Sequence, residues 1–217
     1  MEKAAKGTPK AQPGGHQLRR EVVEHHQRQR ILAGAASVIA ERGYRAVSVA
    51  DIVKSAAIAR ARFYEHFGSK QDCFFALYDG AVEAALAEVD AACEASDGAF
   101  PERVHAGLEA LLARFAADPA LARAVVVEGP AVGPEINDRF DRLIADFAAL
   151  LRRGRPEEAP VELPETVEET VVGGLYWLLY YALLEEQPKR IQQLLPQLTE
   201  FSLIPFVGAE AAGNAVA

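Results

Sequence analysis

The sequence predicts an all-α protein with a three-helix head and a larger helical body. Apolar residues recur at three- and four-residue steps in successive segments, as in helices buried along one side. The first three segments carry no strand signal, and the later segments are also of helical type. Half of the 217 residues are hydrophobic, which is ample for a core.

Four segments are expected along the chain. Residues 1–23 form a disordered basic tail, because Lys, Gly, Pro, Gln and Ala give little to bury. Residues 24–70 form the head, residues 71–207 the body, and residues 208–217 a flexible tail.

Charge is divided unevenly between these parts. Residues 1–70 carry 13 Lys and Arg against 6 Asp and Glu, a net charge of +7, whereas the rest carries −15 of the total of −8. A basic head on an acidic body is typical of a DNA-binding domain joined to a domain that does not touch phosphate.

The head begins with a helix from about Glu24 to Arg42, which Gly43 ends. Ser48 is a good N-cap for the next helix, and Asp51 completes a capping box. The turn is expected at residues 56–58 and the third helix at 59–67.

Phe63 and Phe67 share one face of that third helix and anchor it to the core. The same helix then directs four basic or aromatic side chains outward: Arg60, Arg62, Tyr64 and His66. These features predict a helix-turn-helix.

The body is expected to start with a long helix at Ser69 and to end in two strongly apolar helices. The segment from Val171 to Leu184 is apolar on all sides and must be covered all round, by its own body on one side and by a partner subunit on the other. The candidate dimer residues are Val171, Leu175, Leu178, Leu198 and Phe201.

An aromatic cluster with Tyr176 belongs either to the dimer core or to the wall of a ligand cavity, and packing in a core or interface is favoured. Glu128, at the end of an apolar run, either orients a polar ligand atom or faces solvent. The candidate ligand-binding residues are therefore Glu128, Trp177, Tyr180 and Tyr181.

No catalytic motif, metal-ligand set or cofactor-binding motif occurs. The adjacent His25 and His26 lack a second pair of ligands. Cys73 and Cys93 make no disulfide framework, the segment from Met1 to Gly15 lacks the apolar core of a signal peptide, and the longest apolar run is too short to span a membrane. A cytoplasmic protein without a membrane segment is expected.

The first ~70 residues resemble the tetracycline-repressor-like (TetR) family. The block RILAGAASVIAERGYRAVSVADIVKSAAIARARFYEHFGSKQDCFFALYD carries the resemblance, with Ser-Val-x-Asp-Ile-Val, Phe-Tyr-x-His-Phe and Ser-Lys as its most specific parts. The body is similar in architecture only.

The resemblance implies a homodimer on a near-palindromic double-stranded operator, with recognition helices one helical turn, ~34 Å, apart. It places Arg60, Ala61 and Arg62 on the groove-facing turn, with Tyr64 and His66 beside the groove. It also implies phosphate contacts by Ser48 and Lys70. Three positions depart from the family pattern. The family more often has Gly where this chain has Ala57, Ser or Thr where it has Ala59, and a small or hydroxylated residue where it has Arg62.

The expected function is that of a transcriptional regulator, a repressor released from its operator by an unknown small-molecule effector. One alternative is a DNA-binding architectural or co-regulatory dimer without an effector, which a body without a cavity would indicate. The other is a helical-bundle enzyme, which clustered and strongly perturbed titratable groups in a pocket would indicate.

Overall fold

The computed structural model describes residues 14–156, 162–185 and 188–215, which form ten α-helices and three short 3-10 helices. No strand occurs within these ranges, in agreement with the all-α prediction.

The head consists of α1 (Gly14–Arg42), α2 (Val49–Ser55) and α3 (Arg60–His66). Because α1 begins at Gly14, residues 14–23 are helical, and the prediction that they are disordered is wrong. Residues 1–13 of the predicted tail lie outside the described residues. Gly43 ends α1 as predicted, since its φ of +80° suits glycine and its N–H donates to the Ile39 carbonyl at 2.8 Å.

The head core contains Phe63 and Phe67, as the sequence predicts, and it extends into the next helix. Ile31, Ile39, Val47, Ile52, Phe63 and Phe67 are all buried. They pack with Phe74 and Tyr78, which belong to α4 (Lys70–Ala95). The two ends of α4 therefore serve different parts of the molecule, because its first half completes the head core and its second half packs on α5 (Phe100–Ala117).

The rest of the body contains α6 (Pro119–Val126), α7 (Asn137–Gly154), α8 (Val167–Leu184), α9 (Leu195–Val207) and α10 (Ala209–Asn214). The 3-10 helices are Gly129–Ala131, Pro134–Ile136 and Pro188–Leu194. The flexible tail predicted after residue 207 is wrong for residues 208–215, because α10 buries Ala212 against the ends of α8 and α9. Residues 216–217 lie outside the described residues.

Two apolar clusters hold the body together. One joins α5, α6, α8 and α9 around Leu112, Leu179 and Leu198, and the other joins Phe100, Val171 and Phe206 near the start of α8. A buried carboxylate lies beside the second cluster. Glu168 is 1% exposed and accepts from Arg155 at 2.7 Å and Arg152 at 3.3 Å, so its charge is paired and the end of α7 is fixed to the start of α8.

Candidate nucleic-acid interface and internal cavity

The predicted capping box at the start of α2 is present. The Asp51 N–H donates to Ser48 Oγ at 3.3 Å, and the Ser48 N–H donates to Asp51 Oδ2 at 2.9 Å. The Ser48 hydroxyl donates to the same carboxylate oxygen at 2.6 Å, and Arg42 Nη1 donates to Asp51 Oδ1, also at 2.6 Å. These bonds from Ser48 and Arg42 hold the pKa of Asp51 well below its usual range. The Asp51 carboxylate therefore stays ionised, and the capping box fixes the start of the helix-turn-helix.

The turn between α2 and α3 contains a strained residue. Ala57 has a φ of +51°, in the left-handed region that favours glycine. Arg30 of α1 donates to the Ala56 carbonyl at 2.8 Å and to the Ala57 carbonyl at 3.1 Å. α1 and α2 also approach closely here, because a Cβ on Gly34 would lie 2.8 Å from the Ala56 nitrogen. The Arg30 guanidinium and this close contact hold the turn in a conformation that alanine disfavours.

α3 presents the predicted residues on its outer side. Arg60, Ala61, Arg62 and Tyr64 are exposed and His66 is half-buried, whereas Phe63 and Phe67 face the core. Ala59 provides no side-chain cap, as expected from the residue type. The helix-turn-helix brings these outer side chains together on one short helix, and their contact with DNA stays a prediction.

Both arginines of α3 have partners on the same helix. Arg60 Nη2 lies 3.3 Å from the Tyr64 hydroxyl, and its guanidinium carbon is 5.7 Å from the centre of that ring. Arg62 pairs with Glu65 at 2.6 Å, with both side chains more than half exposed. An exposed pair of this kind contributes about 0–1 kcal/mol, so a phosphate or a guanine edge can replace Glu65 at little cost.

Lys70 is more enclosed than the resemblance implies. Its Nζ donates to the carbonyls of Tyr44 and Val47, both at 2.8 Å, and lies 4.1 Å from the centre of the Tyr44 ring. Burial lowers the pKa of this ammonium group. Two of its three donors therefore join the start of α4 to the segment between α1 and α2, and this geometry indicates a structural role. The predicted phosphate contact stays a prediction.

The body contains a cavity of about 470 Å³, within the usual range for small-molecule sites. Its lining follows α5 from Phe100 to Ala117, about 25 Å at 1.5 Å per residue. The long walls come from α4 to α8 and are mainly apolar, with Val89, Leu108, Leu111, Val125, Leu143, Phe147, Leu175, Tyr176 and Leu179 among their residues.

Most polar groups of the lining are already engaged. The Tyr176 hydroxyl donates to the Val126 carbonyl at 2.8 Å, and Ser202 Oγ donates to the Leu198 carbonyl at 2.7 Å. Burial raises the pKa of Tyr176, so this phenol is a neutral donor. Glu88 and Arg114 form an ion pair at 2.5 Å.

The four predicted ligand-binding residues do not line this cavity. Glu128 instead accepts a hydrogen bond from the Tyr44 N–H at 2.9 Å, which corrects both its ligand and its solvent interpretation. Trp177 and Tyr181 are 55% and 48% exposed, and Tyr180 stacks on Trp177 with ring centres 5.3 Å apart. The phase of α8 explains the error, because Tyr176 shares the inner face with Val172 and Leu179 and the next residue turns outward.

Of the predicted dimer residues, some are buried inside the subunit and others lie near or at its surface. Val171 and Leu198 are 3% and 1% exposed inside one subunit, so the prediction that they form the interface is wrong. Leu175 lines the cavity, and Leu178 is half-buried against the apolar cluster around Leu112, Leu179 and Leu198. Phe201 is exposed, and its predicted place in the dimer interface stays a prediction. It belongs to an apolar surface that we call the α8/α9 face, which comprises Trp177, Tyr181, Leu184, Phe201 and Ile204.

Three hydrogen bonds connect the head to the α6 region. Arg123 of α6 donates to the Ala40 carbonyl of α1 at 3.0 Å and to the Leu183 carbonyl of α8 at 2.9 Å. Just after α6, Glu128 accepts from Tyr44, and Arg45 Nε donates to the Ala131 carbonyl at 3.3 Å. Leu121, Ala122, Val125 and Val126 of the same helix line the cavity. α6 thus touches the cavity on one side and the head on the other.

Within the described ranges, no group of three or more His, Cys, Asp or Glu side chains could hold a metal ion. No helix among the described residues is both long and apolar enough to cross a membrane.

Comparisons with known proteins agree with this architecture. Residues 31–77 match the family model described as bacterial regulatory proteins, tetR family. The chain is 30% identical over 196 residues to the HTH-type transcriptional regulator EthR of Mycolicibacterium smegmatis, covering 85% of this chain and 88% of that protein.

Two solved structures share the fold. The fatty acid degradation regulator FadR from Bacillus halodurans has a TM-score of 0.72 at 20% identity, covering 82% of this chain and 94% of its own. The transcriptional regulator FadR from Bacillus subtilis, in complex with stearoyl-CoA, has a TM-score of 0.69 at 17% identity, with 83% and 98% coverage. The helix-turn-helix, the helical body and the relative that spans most of the chain lead to one conclusion. The protein belongs to the tetR family of bacterial regulatory proteins and is a DNA-binding transcriptional regulator.

Proposed function

We propose that this protein is a homodimeric repressor that a small molecule releases from a near-palindromic operator. The observation that carries the proposal is the position of α6, which lines the cavity and is also bonded to the head through Arg123. A ligand that displaces α6 therefore acts on both the cavity wall and the α1 carbonyl that Arg123 holds.

DNA recognition is assigned to the outer side of α3. Arg60, Ala61 and Arg62 occupy its first turn and are exposed, so they suit the bottom of a major groove. Tyr64 and His66 lie one turn further along and suit the groove edge. Ser48 lies at the exposed N-terminus of α2, where the free N–H groups of a helix end favour a phosphate.

The cavity supports an effector, and its walls favour a molecule with a long apolar part. The similar fold of Bacillus subtilis FadR, which was solved in complex with stearoyl-CoA, also supports a regulator that responds to a ligand. Release requires that the effector bind the DNA-incompetent state more tightly, since a ligand with equal affinity for both states shifts nothing.

The α8/α9 face supports the homodimer. Its five large apolar side chains are 38–55% exposed in one subunit. Gly174 lies against the Phe201 ring, because a Cβ there would be 2.6 Å from Phe201 Cζ, so α8 and α9 pack closely at this point. Several large apolar side chains exposed on two packed helices indicate a protein interface.

The cavity favours the effector-controlled regulator over an architectural dimer. It also gives little support to an enzyme, because burial raises the pKa of Cys93 and of Tyr176 and keeps both groups protonated. As a regulator that binds the chromosome, the protein is proposed to act in the cytoplasm.

Operator binding tests the proposal. Selection of bound fragments from genomic DNA identifies the operator, and the affinity is then measured at fixed salt concentration. Arg60→Ala is expected to cost ~1–3 kcal/mol and to relax preference at one base pair. Arg142→Ala, which removes an exposed charge from α7, is the matched control and should bind as the wild type does. An Arg60→Ala/Arg62→Ala protein with wild-type affinity would contradict the assignment of α3.

A further inference from the structure

One charged side chain of the cavity lining has no partner among the described residues. The cations that line the cavity are Arg103 and Arg114, and Arg114 is paired with Glu88. The guanidinium of Arg103 has no ion pair and no hydrogen bond with any residue in the ranges that the structure describes. Because a guanidinium carries five donors, a half-buried one without partners requires water or a ligand acceptor.

Arg103 lies near one end of the cavity. Its carbonyl accepts a hydrogen bond from Cys93 Sγ at 3.3 Å, and its guanidinium carbon would be 3.9 Å from a Cβ built on Gly154. It belongs to the early turns of α5, whose N-terminal end carries positive partial charge. The paired Glu88 and Arg114 mark the opposite half of α5. Asp90, Glu94 and Arg153 also lie near Cys93 at the Arg103 end, but Asp90 is paired with Arg153 and none of the three lines the cavity, so Arg103 is the charged side chain that faces the cavity there.

The remaining wall between these ends is apolar. Residues 103 and 111 are about 12 Å apart along α5, and side chains such as Leu108 and Val125 border this stretch. An occupant must therefore offer an anionic group at one end and hydrocarbon along its length. Carboxylate and phosphate groups meet the first requirement, because each accepts the two parallel bonds that a guanidinium donates.

We propose that Arg103 binds the anionic head group of the effector, and that the effector is an amphipathic anion with an extended apolar tail. This inference rests on the proposed function of the cavity. With the head group at Arg103, the tail runs along α5 towards Val125 of α6, the helix that is bonded to the head. Contact between the tail and α6 then transmits ligand binding to the head of the protein, and Arg103 selects anionic ligands over neutral ones.

A purely structural role is the competing explanation. The guanidinium lies beside Gly154, the last residue of α7, where a cation interacts favourably with the free carbonyls of a helix end. In that case Arg103 would affect the stability of the body and would not distinguish anionic from neutral ligands.

Calorimetric titration of the full-length protein separates the two explanations. The probes are dodecanoate, dodecyl phosphate and dodecanol, which share one tail and differ in the head group. Dodecanoate or dodecyl phosphate is expected to bind the wild type about 10- to 100-fold more tightly than dodecanol. Octanoate should bind more weakly than dodecanoate, by up to about fourfold for each methylene removed.

The variants are Arg103→Gln, Arg103→Lys and the control Arg142→Gln on the exposed side of α7. Arg103→Gln is expected to lose the preference for the anion while its dodecanol affinity is retained, which also shows that the cavity is folded. Arg103→Lys should recover part of the preference, and Arg142→Gln should leave it intact. If only the phosphate probe is preferred, the proposal holds with a phosphate head group.

Equal binding of anionic and neutral probes to the wild type, or an unchanged preference in Arg103→Gln, would overturn the inference. A failure of all three probes to bind would do the same. The proposed function is tested separately, by adding dodecanoate to the operator complex. Tight, Arg103-dependent binding without release of DNA would overturn effector control and leave the anion site standing.

Discussion

Replacing Ala57 by glycine should stabilise the protein, although glycine usually weakens a fold. Ala57 has a φ of +51° and is exposed, so its methyl group brings strain and little buried contact. The left-handed conformation costs an L-residue about 1–2 kcal/mol, and the greater freedom of glycine in the unfolded chain returns about 0.4–1 kcal/mol of that. The expected net gain is about 0.5–1 kcal/mol.

The matched control is Ala87→Gly, at an exposed position inside α4 with right-handed helical geometry. The same chemical change should destabilise the protein there by about 1 kcal/mol. Thermal unfolding at one fixed protein concentration measures both variants, since the stability of a dimer depends on concentration. A gain of 1 kcal/mol corresponds to about 2–4 °C in Tm for a chain of this size.

The two variants are expected to change Tm in opposite directions. If Ala57→Gly lowers Tm as much as Ala87→Gly does, the turn is not strained at Ala57. Operator affinity should be unchanged by Ala57→Gly, because the carbonyls of residues 56 and 57 keep their bonds to Arg30 and α3 keeps its position.

Three further predictions concern the contacts that join the parts of the molecule. Lys70→Met should lower the free energy of unfolding by ~1–3 kcal/mol, because two buried carbonyls lose a charged donor, and denaturant unfolding measures the loss; wild-type stability with uniformly weaker DNA binding would instead show that Lys70 serves phosphate. Glu128→Gln should keep ligand affinity and change the ligand-dependent shift in operator affinity, since Glu128 bonds the head and lies outside the cavity lining; an altered ligand affinity in calorimetry would contradict this separation. Trp177→Glu should give folded monomers in sedimentation, because a charge on the α8/α9 face opposes burial of that face, whereas Arg142→Glu, at an exposed position on α7, should remain a dimer; a dimeric Trp177→Glu protein would place the interface elsewhere.

The head could be predicted closely from the sequence because its determinants are local. Ser48 and Asp51 form a capping box three residues apart, and Phe63 and Phe67 share a helix face by their spacing alone. The absence of a cap at Ala59 also follows directly from the residue type. The helix-turn-helix therefore needed no knowledge of distant contacts.

Distant contacts decided the roles that the sequence assigned wrongly or left open. α8 is apolar all round, so periodicity could not tell the inner face of Tyr176 from the outer face of Trp177, nor show that Leu198 points into its own subunit. Glu128 meets the Tyr44 N–H across 84 residues, and no local pattern encodes that bond.

The amino-acid sequence alone determined the helical class, the DNA-reading motif and the family resemblance, because caps, turns and apolar spacing act over a few residues. The tertiary structure decided which side chains border the cavity, which form the α8/α9 face and which hold the head to α6. Lys70 shows the physical reason most directly. Its charge suits phosphate, yet packing places its ammonium group between two carbonyls, and only the folded chain brings those three groups together.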